Sequence, residues 1–181
     1  MINPKVQKRD PKTKEKENHK EMHKIGLFFF ILSVFYSCTT NEVYSDYKSF
    51  PGYWPREEVV QFNLSEIDTS TNYNIFLNIR NTNAFKFSNL FLIVKMNFPN
   101  GKVITDTLEY QMAKPDGTWL GIGSSIKENK LWYRENIRFF EEGVYTLQLE
   151  QAMRNKTSVE GVTILEGITD VGISIEASKK Q

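Results

Sequence analysis

The chain has 181 residues, 25% of them charged and 40% hydrophobic, with 23 Lys and Arg, 22 Asp and Glu, two His and one Cys. That composition fits one ordinary folded domain and excludes a wholly disordered, collagenous or coiled-coil chain. A net charge of +1 argues against a dedicated nucleic-acid binder, and a single cysteine excludes a disulfide framework, a CxxC redox pair and a Cys-rich zinc knuckle.

Charge is distributed unevenly. Residues 1–21, MINPKVQKRDPKTKEKENHKE, carry seven basic and four acidic side chains with almost no apolar residue, and a segment of that kind does not fold alone. The segment 22–37 then begins with Met22, His23 and Lys24, runs apolar from Ile25 to Tyr36 and ends in small Ser37. This is the layout of a secretory signal peptide. Its apolar run of 12 residues falls short of the ~20 that a spanning helix needs. Because a signal peptide starts close to its basic region, Met22 is the expected initiator. Residues 1–21 are then a mis-assigned start or, alternatively, a long charged extension.

Cys38 follows directly. A lone cysteine after an apolar stretch and a small residue resembles the lipobox of bacterial lipoproteins, whose thiol takes a diacylglyceryl group and becomes the new N-terminus. Phe35 and Tyr36 stand where a stricter box has Leu and a small residue, and an incidental or buried cysteine is the alternative. Two or three acyl chains on one residue, each CH₂ worth about 0.8 kcal/mol, make a lasting anchor. From Cys38 onward the chain keeps 15 basic and 18 acidic residues, a net charge of −3. His19 and His23 both lie upstream, so the mature chain has no imidazole for a Ser-His-Asp, Cys-His or HExxH site. For catalysis that leaves a glycosidase-type carboxylate pair drawn from Glu57, Glu58, Asp106, Glu109, Asp116, Glu141, Glu142, Glu166 and Asp170. The prevailing expectation for these is solvated carboxylates at strand ends and turns, hence no enzyme, no metal and no cofactor.

Residues 38–52 are polar and read as a tether that reaches about 45 Å at full extension. The sandwich domain is expected over 53–176 and a short disordered tail over 177–181. Val60, Phe62 and Leu64 alternate with polar residues, as do Tyr73, Ile75, Leu77 and Ile79, which predicts two half-buried strands. The run Asn89 to Phe98 is apolar nearly throughout to Val94 and predicts a strand covered on both faces. Asn100-Gly101 turns the chain into a return strand from Lys102 to Tyr110. Pro115-Asp116-Gly117 marks another turn, and Ser124 or Ser125 caps an expected helical turn over Ile126 to Asn129. Strands then follow at Leu131 to Phe140, Val144 to Gln151 and Val171 to Glu176. Seven to eight strands without a long helical pattern predict an all-β, antiparallel, jelly-roll-like β-sandwich, and some 140 residues bury enough surface to stand without disulfides.

Several segments carry a resemblance: NLFLIVKMNFPNGKVITDTLEYQM over Asn89 to Met112, AKPDGTWLG over Ala113 to Gly121, KENKLWYRE over Lys127 to Glu135, and LEGITDVGI over Leu165 to Ile173. In this order and spacing, after a signal and Cys38, the chain resembles the gliding-motility lipoprotein family GldH of the Bacteroidetes. The resemblance implies a cell-envelope lipoprotein required for gliding, linked to other envelope proteins of the gliding and secretion machinery. It transfers one functional position, the lipidated Cys38, and no catalytic residue. Thr39-Thr40-Asn41 offers neither an aspartate retention signal nor an acidic export run, so the expected site is the outer membrane, periplasmic face. Asp106-Thr107-Leu108 resembles the O-glycosylation triplet of these bacteria, although an ordinary strand position is the commoner use of such a threonine.

Two functions from different classes stand side by side. The first is a scaffold whose sheet face or edge meets other envelope proteins. The second is a glycan- or peptidoglycan-binding module using Trp54, Trp119 and Trp132 as stacking platforms. Core packing is the competing use of each ring, and Trp132, expected on a strand face with Arg134, Asn136 and Arg138, is the best placed of the three.

Overall fold

The computed structural model describes residues 41–155 and 160–178. These form ten strands: β1 (Glu42–Ser49), β2 (Tyr53–Pro55), β3 (Val60–Leu64), β4 (Asn72–Thr82), β5 (Asn89–Asn97), β6 (Val103–Gln111), β7 (Ile126–Arg138), β8 (Tyr145–Gln151), β9 (Ile164–Glu166) and β10 (Ile168–Ala177). Every pairing is antiparallel. One sheet has the order β1-β10-β4-β7, the other β3-β8-β5-β6, and β2 pairs with β9 alone.

The order follows from one nested ribbon. The first strand pairs with the last, β2 with β9, β3 with β8, β4 with β7, and β5 with β6 at the tip. Rolling that ribbon on itself brings β10 beside β4 and β8 beside β5, which closes two four-stranded sheets in jelly-roll order. The tip is the hairpin at Pro99-Asn100-Gly101, where Gly101 takes a φ of 85°, a region open to glycine at no steric cost. At the opposite turn of the ribbon, Gly167 joins β9 to β10 with a φ of 86°, and a Cβ there would stand 2.1 Å from the Phe85 nitrogen. Only glycine lets the chain change sheets at that corner.

The core lies between the sheets. Tyr73, Ile75, Leu77 and Ile79 of β4 and Val171, Ile173 and Ile175 of β10 face Leu90, Leu92, Val94 and Met96 of β5 and Tyr145, Leu147 and Leu149 of β8. The two-residue periodicity of these segments places one set of side chains inside.

Three expectations change. Glu42–Ser49, within the stretch read as a tether, is edge strand β1, paired with β10 from Glu42↔Glu176 to Ser49↔Asp170. An edge strand with both faces partly wet needs little apolar signal, so its polar sequence resembles a linker. The expected helical turn at Ile126 to Asn129 is strand, paired with Thr82 to Ile79, because the long β4 supplies a partner that outweighs a local cap. In β5, burial alternates strictly, with Phe91 and Ile93 only half-buried on the outer face. The strand buried on nearly every residue is β4.

Candidate functional site

The three tryptophans have different surroundings, and no two of them stack among the described residues. Trp54 on β2 is fully buried, its Nε1 donating to the Glu58 carbonyl at 2.8 Å and its ring 5.8 Å from Phe50. It offers a ligand no surface. Trp119, in the connection between β6 and β7, is half-buried against Phe85 at 6.1 Å and donates from Nε1 to Asn83 Oδ1 at 3.0 Å. Trp132 is 54% exposed on the outer face of the β1-β10-β4-β7 sheet, its ring centroid 4.4 Å from that of Phe76. Lys130 Nζ lies over the Phe76 ring, 4.3 Å from its centroid, and pairs with Glu176. The expected face shared with Arg134, Asn136 and Arg138 is interrupted: register shifts opposite this stretch and a φ of 50° at Asn136 break the alternation past Trp132.

Next to Trp132 the open edges of the two sheets meet. The Tyr110 hydroxyl on β6 donates to the Trp132 carbonyl on β7 at 2.7 Å, and Asp106 accepts from the Tyr133 hydroxyl at 2.9 Å and pairs with Arg134. Burial pushes the Tyr110 hydroxyl up to about 12, with Arg134 opposing and Asp106 adding to the rise. Burial first, then the hydrogen bond to Asp106, raises Tyr133 as well. This seam clamps β6 to β7 and leaves both phenols neutral at ordinary pH. It accounts for Asp106 of the Asp106-Thr107-Leu108 triplet, while Thr107 points outward and is exposed.

The other carboxylates are spread out. Glu58 pairs with Lys48, Glu166 with Lys86 at 2.5 Å, and Asp170 accepts from Ser49 at 2.7 Å. Glu109 accepts from Asn89 at 2.7 Å, Glu141 from the Asn100 amide at 3.1 Å, and Asp116 from the Thr118 amide at 2.9 Å. That backbone bond holds the Asp116 carboxyl below the usual range. These partners give each of these six carboxylates a role in an ion pair, a cross-strand bond or a turn. Among the described residues, no three His, Cys, Asp or Glu side chains gather as metal ligands. Cys38, His19 and His23 lie outside the described residues.

Sequence reasoning missed one surface. In the connection that runs into β7, Ile122 exchanges backbone hydrogen bonds with Glu128 at 2.8 and 2.9 Å, closing a short hairpin over the five residues Gly123 to Lys127. Its base is fixed by buried Asn129, whose amide donates to the Ile79 carbonyl at 3.1 Å and to Asn81 Oδ1 at 2.9 Å. The hairpin holds Ile122 84% exposed, with Leu120 and Ile126 also exposed beside it. The hint was there: Leu120, Ile122 and Ile126 are apolar residues in a stretch otherwise made of Gly, Ser and Lys. Exposed apolar residues grouped on a rigid turn fit a protein contact.

Comparison with known proteins gives consistent results. Residues 42–175 match the family described as GldH lipoprotein, a span that begins at the first residue of β1 and ends within β10. The chain is 50% identical over 155 residues to a protein of Christiangramia forsetii named gliding motility lipoprotein GldH homolog, covering 85% of this chain and 95% of that one. It is 44% identical over 152 residues to the gliding motility lipoprotein GldH of Flavobacterium johnsoniae, covering 83% of this chain and 94% of that one. No solved structure matches the chain.

Proposed function

We propose that this chain, which belongs to the GldH lipoprotein family, serves gliding motility as a non-catalytic scaffold anchored by a diacylglyceryl group on Cys38. The anchor holds it in the outer membrane on the periplasmic face, and the jelly-roll body engages other envelope proteins of the gliding and secretion machinery. The observation that carries the scaffold reading is the rigid hairpin that keeps Ile122 84% exposed beside Leu120 and Ile126. Holding such side chains in water is unfavourable unless a partner covers them. Glycan contact has weaker support, since of the three tryptophans Trp132 alone is exposed, with Trp119 half-buried and Trp54 enclosed in the core.

Two measurements test this. Cys38→Ser is expected to release the protein from envelope membranes in flotation gradients and to abolish spreading on agar; retention on membranes would refute the anchor. A photo-crosslinking amino acid at Ile122 in living cells is expected to give adducts with components of the motility apparatus identified by mass spectrometry. Adducts at Trp132 to saccharide, with none at Ile122 to protein, would reverse the choice between the two readings.

A further inference from the structure

We propose that the end of the sandwich bearing Phe140 rests against the bilayer surface, so that the lipid on Cys38 and the Phe140 ring make a two-point contact that sets the body's orientation. The inference rests on the lipidation reading above. The pairings gather the start of β1, the end of β10, the start of β4 and the end of β7 at one end, through Glu42↔Glu176, Glu176↔Asn74 and Asn72↔Arg138. Asn41 is held there, its carbonyl accepting from the Ala177 amide at 2.8 Å. Asn41 is three residues after Cys38, so about 10 Å of chain at most separates it from an acylated sulfur. The far end of β7, at roughly 40 Å for its thirteen residues, is out of that reach. The end at Asn41 is therefore the one close to the headgroups.

That same end carries Phe140, 79% exposed, with Val144 also exposed in the connection between β7 and β8. The exposure is built in. Phe139 is buried against Tyr145 with centroids 4.7 Å apart, the Glu141 amide donates to the Tyr145 hydroxyl at 2.9 Å, and the Asn100 amide donates to Glu141 at 3.1 Å. Pro99 packs on Gly143 so closely that a Cβ there would stand 2.9 Å from it. Four contacts thus hold one aromatic ring outward at the same end of the sheet as Asn41, across β10 and β4 from it, where an interface between water and acyl chains is the apolar medium within reach. Glu141 and Glu142 follow Phe140 in the chain and Arg138 precedes it, a mixed charge that suits a zwitterionic surface rather than a strongly anionic one.

The test uses the lipidated full protein purified from envelopes and reconstituted in phosphatidylethanolamine and phosphatidylcholine vesicles. Lipidation turns the Cys38 thiol into a thioether, so in Phe140→Cys and Ile122→Cys the introduced thiol is the only one open to a fluorescent NBD label. Intact mass comes first: an unmodified Cys38 removes both the anchor and this inference, and identifies the anchor as the failed premise. With the lipid present, the label at 140 is expected to emit at shorter wavelength and to be quenched by brominated acyl chains, while the label at 122 stays aqueous and unquenched. Aqueous emission at 140, or a blue shift there without quenching by brominated lipid, which would signal cover by protein, overturns the proposal.

Discussion

Trp54 and Trp132 are the same side chain on strands of the same domain, yet one is enclosed and the other stands 54% exposed. Trp54 satisfies its indole N–H on the Glu58 carbonyl and is fully buried in the hydrophobic core. Trp54→Ala is expected to cost about 3–5 kcal/mol of unfolding free energy in denaturant titrations. Tyr110 gives a prediction with a pH signature. The fold favours its neutral phenol, so its contribution is complete below the ordinary tyrosine value of 10.0 and is lost as pH rises toward about 12. Thermal melts should show stability falling over that alkaline window, and Tyr110→Phe should make the fall shallower. An unchanged alkaline slope in the variant would show that Tyr110 does not contribute to it. The outward placing of Trp132 was legible in the sequence, but the enclosure of Trp54 and the setting of Tyr110 were not, because partner and burial of an aromatic ring depend on which strands meet.

At the scale of elements, the periodic segments were legible and the polar ones were not. The alternations around Phe62, Ile75 and Leu147 carry their own statement of which side faces the core. β1 carries no such statement, because its place on the edge is decided by β10, whose Gly172 lies under the Tyr47 ring. A Cβ at Gly172 would stand 2.4 Å from Tyr47 Cδ1 and 2.7 Å from the Asp46 carbonyl oxygen. Gly172→Ala is expected to destabilise by about 1–3 kcal/mol, and hydrogen exchange should quicken over Glu42–Ser49 more than over β4. Equal quickening in both strands would mean that the substitution loosens the sheet as a whole rather than its edge. In the same way, β7 reaches back to Ile126 because β4 continues to Thr82, a reason that lies more than forty residues away in the chain.

At the scale of the whole molecule, the nested ribbon separates two ends with different exposed residues. Ile122 stands at one and Phe140 at the other, about the length of β7 apart. Ile122→Asp is expected to leave the melting temperature nearly unchanged, since surface substitutions usually stay within about 0.5 kcal/mol, while weakening crosslinking to motility proteins and slowing colony spreading. Normal spreading in that variant would direct attention to another surface. By itself the sequence determined the strand-rich domain, the Asn-Gly hairpin at its centre and the placement of the sole cysteine after a signal-like stretch, because each is written in local spacing and residue type. Tertiary structure alone decided that the polar stretch at Glu42 is a strand, that Asp106 ties Tyr133 and Arg134 across the sheet edges, and that Trp54 is enclosed while Ile122 and Phe140 are held outward. Those outcomes depend on contacts between residues distant in the chain, whose pairing is fixed only when the ribbon rolls.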